Sequence, residues 1–87
     1  MSRIFSDKAF EHYVYWQTQD RKTLKRINEL INDIARNGAD EGIGKPEQLK
    51  HELAGFWSRR IDDKNRLIYF VDENGNVIIE SCKGHYE

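Results

Sequence analysis

Residues 20–38 read DRKTLKRINELINDIARNG, and the spacing of their apolar side chains decides the fold class. Leu24, Ile27, Leu30, Ile31 and Ile34 recur at intervals of three and four, which marks one face of a helix. Arg21, Lys22, Lys25 and Asn32 fall on the other faces. Asp20 can cap the first turn, and Asn37-Gly38 predicts a left-handed stop. Upstream, Phe10, Tyr13, Val14 and Gln17, flanked by Ala9 and Trp16, form a second helical stripe. Ser6 offers an N-cap there, and Asp7 suits the first turn. The two segments read as an antiparallel helical hairpin, with residues 2–5 as a short strand before it.

Downstream the period changes from helical to two. Residues 38–46 hold Gly38, Gly42, Gly44 and Pro46 and read as a mobile loop. Leu49, His51 and Leu53 alternate with Lys50, Glu52 and Ala54, which predicts a strand broken at Gly55, with His51 half-buried. Residues 56–61 and 66–71 are strand-like around the turn-rich Asp62-Asp63-Lys64-Asn65. Asn74-Gly75 predicts a hairpin into Val77-Ile78-Ile79. Helices followed by an antiparallel meander make an α+β fold with the helices on one sheet face. The length of 87 residues fits a single domain over 1–87. Polar strand residues on the other face are then open to a ligand.

Composition narrows the classes further. Cys82 is the only cysteine, which excludes an intrachain disulfide and a multi-cysteine zinc site and favours a reducing cytoplasm. Its place at the end of an apolar strand predicts a buried small hydrophobe. The amino terminus lacks a signal peptide's apolar run, and no stretch approaches the roughly 20 apolar residues of a membrane helix. A soluble, cytoplasmic protein is expected. The net charge is −1, although Arg21, Lys22, Lys25 and Arg26 cluster, as do Lys50, Arg59, Arg60, Lys64 and Arg66. Acids dilute both sets, so strong non-specific RNA binding is not expected.

The histidines are His12, His51 and His85. His12 is expected at the surface of the first helix. Their spacing matches no metal-ligand pattern, and the glycines do not form a phosphate loop. His85-Tyr86 near the end reads as an inert tail unless it docks beside the sheet, where an imidazole could serve as a general acid. Residue patterning alone stops at a small α+β domain with a basic hairpin.

Longer segments carry more. Gly44-Lys45-Pro46-Glu47-Gln48-Leu49-Lys50-His51, then Leu53-Ala54-Gly55-Phe56-Trp57-Ser58-Arg59-Arg60-Ile61, then Arg66-Leu67-Ile68-Tyr69 and the ending His85-Tyr86 resemble the YoeB (Txe) toxins of the RelE/ParE superfamily. Tyr13-Val14-Tyr15-Trp16-Gln17 and Lys25-Arg26-Ile27-Asn28-Glu29-Leu30-Ile31 are similar to the same family. The resemblance covers nearly the whole chain and matches only loosely over residues 36–43.

The resemblance implies a helical hairpin packed on an antiparallel sheet, the RelE/ParE-type microbial RNase-like fold. It implies a ribosome-dependent endoribonuclease that cuts messenger RNA in the decoding site without metal or other cofactor. It also implies a YefM-type antitoxin as partner, and a toxin homodimer. Carried onto this chain, the active-site positions are Glu47, Arg66, His85 and Tyr86, while Lys50, His51 and Arg60 line the RNA path.

The residue types suit the chemistry. RNA carries its own nucleophile, the 2′-hydroxyl, beside each phosphate. A carboxylate can take its proton, a guanidinium can brace the phosphoryl oxygens and an imidazole can protonate the leaving oxygen. Each residue also has an ordinary structural use. Arg66 can pair with Asp62 or Asp63, and Arg59 or Arg60 can cover a sheet edge. Trp57 and Tyr69 suit the core. Two departures from the family's pattern stand near the end: Lys83-Gly84 precedes the His-Tyr pair, and Glu87 extends past it. Two alternative functions compete with this reading: a ParE-like binder of DNA gyrase, whose family shares the fold, and a non-catalytic RNA-binding module.

Overall fold

The computed structural model describes residues 1–85; Tyr86 and Glu87, and the expectations placed on them, lie outside the described residues. Chain order is β1 (Arg3–Phe5), α1 (Asp7–Gln19), α2 (Arg21–Asn37), β2 (Glu47–Gln48), a 3₁₀ turn (His51–Leu53), β3 (Trp57–Arg60), β4 (Arg66–Val71) and β5 (Val77–Ser81). The strands form one five-stranded sheet in the order β1-β5-β4-β3-β2. Strands β2 to β5 pair antiparallel, and β1 pairs parallel to β5. The parallel edge is possible because the whole helical hairpin lies between β1 and the meander and carries the crossover.

Caps fix the helix starts as the sequence predicts. The Ser6 hydroxyl accepts the Ala9 N–H at 3.0 Å and donates to the Glu80 carbonyl at 2.8 Å. Asp20 accepts from the amides of Lys22 and Thr23, bonds that hold its carboxyl below the usual range. Gly38 ends α2 with φ of 93°. The α2 stripe packs as expected, with Ile27, Leu30, Ile31 and Ile34 buried against Leu67, Tyr69, Val77 and Ile79. No described helix is long and apolar enough to cross a membrane.

In α1 the buried face differs from the expected one. Ala9 and Trp16 are buried, whereas Phe10 and Val14 stand at the surface, 57% and 44% exposed. A small residue is needed at position 9 because β5 passes close by, and the Cys82 thiol reaches the Ala9 carbonyl. His12, expected at the surface, is half-buried, and its Nδ1 accepts the Cys82 N–H.

The expected strand through Leu49, His51 and Leu53 is absent. Only Glu47 and Gln48 pair with β3, opposite Ser58 and Trp57. The chain then closes an excursion between the Leu49 N–H and the Phe56 carbonyl, around the 3₁₀ turn. His51 takes φ of 59° and is exposed rather than half-buried. Leu49 is buried, and Phe56 meets Phe70 edge-on at 5.3 Å. The excursion therefore covers part of the sheet face opposite the helices, which is narrower than an open face.

Two devices set the positions of the loop and the tail. Arg59, wholly buried, ion-pairs with Asp33 and donates to the carbonyls of Gly38, Glu41 and Ile43. The 38–46 loop, read as mobile from its glycines, is therefore tied to the core. A Cβ at Gly42 would collide with the Asp33 carboxylate, and one at Gly44 would press on Leu30. The second device is a bulge. Tyr69 pairs with Ile79 but Ile68 pairs with Ser81, so Glu80 is an extra residue in β5. The change of phase lets Ile79 and Cys82 both face the core, which an unbroken strand forbids.

Candidate active site

On β3 and β4 alternate side chains turn away from the helices. Arg59, Leu67 and Tyr69 go into the core, so Ser58, Arg60, Arg66 and Ile68 face the other way. In the antiparallel register Arg60 lies opposite Arg66. Glu47 reaches the same face from the edge, opposite Ser58. Its approach is fixed one step earlier, where the Gly44 carbonyl accepts the Arg60 N–H at 2.7 Å.

The tail closes the remaining side. The Arg66 N–H donates to the Gly84 carbonyl at 2.9 Å, and the Gly84 N–H donates to Asn65 Oδ1 at 2.7 Å. From the helix side, Trp16 Nε1 donates to the Cys82 carbonyl and His12 Nδ1 accepts its amide. So anchored, the segment delivers His85 to a cleft of about 410 Å³. Glu47, Arg60, Arg66 and His85 line this cleft together, with Lys45 and Ser58 beside them.

Three of the residues assigned to active-site positions, Glu47, Arg66 and His85, thus share one hollow, although the outer two are 38 positions apart in the chain. The fourth, Tyr86, lies outside the described residues. Arg60 joins the cleft. Lys50 and His51 do not; they line an adjoining hollow of about 320 Å³ that shares Glu47.

Arg66 does not bridge to the Asp62 carboxylate. Its Nη1 donates to the carbonyls of Asp62 and Asn65, at 2.6 and 3.1 Å. The Asp62 carboxylate instead receives the amides of Lys64 and Asn65 and the Asn65 side chain. Burial alone would raise its pKa, yet these bonds and the nearby Arg66 charge hold it below the usual range. The turn thereby grips one edge of the guanidinium at the cleft wall. Among the described residues, no three His, Cys, Asp or Glu side chains converge to hold a metal ion.

The Asp33–Arg59 pair escaped the sequence reading. Burial raises the Asp33 carboxyl, but Arg59, the Ile43 amide and Asn37 outweigh it and hold its pKa below the ordinary value. A signal was present. Arg59 alternates in phase with Trp57 and Ile61, and Asp33 stands at the edge of the α2 stripe, three residues after Leu30. A charge in core phase on a strand calls for a partner of opposite sign.

The sequence matches, over residues 5–86, the family described as YoeB-like toxin of bacterial type II toxin–antitoxin system. It is 48% identical over 86 residues to Toxin YoeB of Escherichia coli K12, covering 99% of this chain and all of that protein. The toxin in the structure of a YoeB dimer from Staphylococcus aureus is 53% identical and superposes with a TM-score of 0.92, covering 99% of this chain and 98% of the other. The toxin in a heterotetrameric YoeB–YefM complex from the same organism is 55% identical, with a TM-score of 0.91 over the same shares. With likeness of sequence and of backbone both running from one end of the chain to the other, the chain belongs to the YoeB-like toxins of bacterial type II toxin–antitoxin systems.

Proposed function

We propose that the chain is an endoribonuclease that cuts messenger RNA in the ribosomal decoding site. The observation that supports this most is the single cleft in which a carboxylate, a guanidinium and an imidazole converge from β2, β4 and the tail. In this reading Glu47 takes the proton of the 2′-hydroxyl, and the freed oxygen attacks the adjacent phosphorus. Arg66 braces the phosphoryl oxygens while charge builds on them. The bond to the 5′-oxygen breaks, and His85 gives that oxygen a proton. The products are a 2′,3′-cyclic phosphate and a 5′-hydroxyl. All the groups the scheme needs are side chains, so it calls on no cofactor. Tyr86 completes the set by family resemblance, steadying the phosphate or the histidine. Arg60 extends the cationic wall, and Lys50 and His51 guide the RNA where it enters beside Glu47.

The partners follow from the same reading. A YefM-type antitoxin neutralises the toxin, two toxin copies associate, and the ribosome presents the message in the cytoplasm. The staphylococcal relatives form a YoeB–YefM heterotetramer and a YoeB dimer, which supports the first two.

The test is a 3′-end map of a defined message on stalled ribosomes, with the wild-type protein and with His85→Ala. Cuts within the decoding-site codon that disappear in the variant are expected. Intact message with folded wild-type protein would favour a gyrase-directed or purely binding role.

A further inference from the structure

Besides the Lys50–His51 hollow, a second one meets the active-site cleft, at His85. Its volume is about 410 Å³, within the roughly 300–1,000 Å³ range of sites that hold small ligands. His85 lines both hollows. Lys8 and His12 from α1, Glu80 from β5 and Lys83 from the tail edge the second one, and Leu53 and Ile68 give it an apolar wall.

The polar groups suit an anion with a ring attached. The Lys83 ammonium sits 4.7 Å from the centre of the Tyr15 ring, a contact that holds its charge beside α1. The Lys8 ammonium is 3.4 Å from a Glu80 carboxylate oxygen in an exposed pair, where a phosphate can compete for it. His12 accepts the Cys82 amide on Nδ1, so its neutral ring carries the proton on Nε2 and is left with a donor.

The two flanks of the cleft are unlike. The Lys50–His51 hollow joins it at Glu47, and the Lys8–Lys83 hollow joins it at His85. A base acts on the 2′-oxygen of the nucleotide before the break, and an acid acts on the 5′-oxygen of the nucleotide after it. The acid's side of the cleft is therefore the leaving side. We infer that the hollow edged by Lys8, His12 and Lys83 is a subsite for the nucleotide 3′ of the cut: the lysines hold the phosphate beyond it, and its base or ribose rests on Leu53 and Ile68. This inference rests on the ribonuclease reading and extends it.

The test uses two oligonucleotides, each with a 2′-deoxyribose before the scissile phosphate so that neither can be cut. One ends at that phosphate; the other continues for one nucleoside and its 3′-phosphate. The full chain should bind the longer one about tenfold more tightly, the scale of one charge-assisted contact. Lys8→Ala/Lys83→Ala, at two exposed positions, should abolish the difference. Equal binding of the two by the wild-type chain, or a preference that survives both substitutions, overturns the subsite. The ribonuclease reading fails on a different observable, intact message in the ribosome assay.

Discussion

The Nδ1 of His12 accepts the backbone N–H of Cys82 at 3.2 Å, which ties the middle of α1 to the segment that carries His85. The bond needs an unprotonated Nδ1. Burial lowers the His12 pKa from its ordinary 6.5, and Lys83 and Lys8 push it the same way against Glu11. The neutral form is thus favoured by folding. Its contribution to stability is complete above pH 6.5 and is lost as pH falls through the lower, folded value. The Cys82 amide resonance should therefore shift with a midpoint below 6.5. A midpoint at or above that value would contradict the assignment.

Arg59 holds together three layers: α2 through Asp33, the 38–46 loop through its carbonyls, and β4 through the Tyr69 hydroxyl. Arg59→Met leaves the Asp33 carboxylate buried beside an apolar chain and should cost about 3–5 kcal/mol in denaturant unfolding. Because the Asp33 pKa is lowered in the fold, its share of stability is present above 3.8 and is lost as pH falls through the folded value. Asp33→Asn should flatten that acid limb. A loss below about 1 kcal/mol for Arg59→Met would reduce the pair to an ordinary surface bridge.

Cys82 is wholly buried, and burial pushes its thiol up to about 12. The native protein should resist iodoacetamide at pH 8, and denatured protein should react fully. Rapid labelling of native protein would mean that the tail leaves the core.

Glu47→Gln keeps the shape of the side chain and removes its basicity. Cleavage at the decoding site should fall by about 10²–10⁴-fold, the usual worth of a general base. Single-turnover rates on programmed ribosomes measure this, and an unchanged rate would move the base elsewhere.

Much of this arrangement was legible in the residues, and the misreadings have physical causes. The α2 stripe and the Asn74-Gly75 hairpin were plain because one period dominates each segment. Helix α1 carries two apolar faces, and the larger side chains, Phe10 and Val14, point outward. Size misleads there because the close approach of β5 demands Ala9. The alternation at Leu49, His51 and Leu53 mimics a strand, but the backbone at His51 is left-handed and turns the chain over the sheet. In the cleft, Glu47, Arg66 and His85 came from resemblance, since each has an ordinary local reading. What no local pattern contains is their meeting, which depends on the β3–β4 register and on the Gly84 link.

The extra residue in β5 gives the end of the chain a counting rule. Removing Glu80 itself would leave Ile79 and Cys82 two positions apart, so both would still face the core along an unbroken strand. Inserting one residue between Ser81 and Cys82 would instead turn Cys82 out of the core and take His85 from its station between the two hollows. The last strand should therefore tolerate the loss of its bulge far better than a second extra residue, and a one-residue insertion after Ser81 should damage the cleft more than the deletion of Glu80.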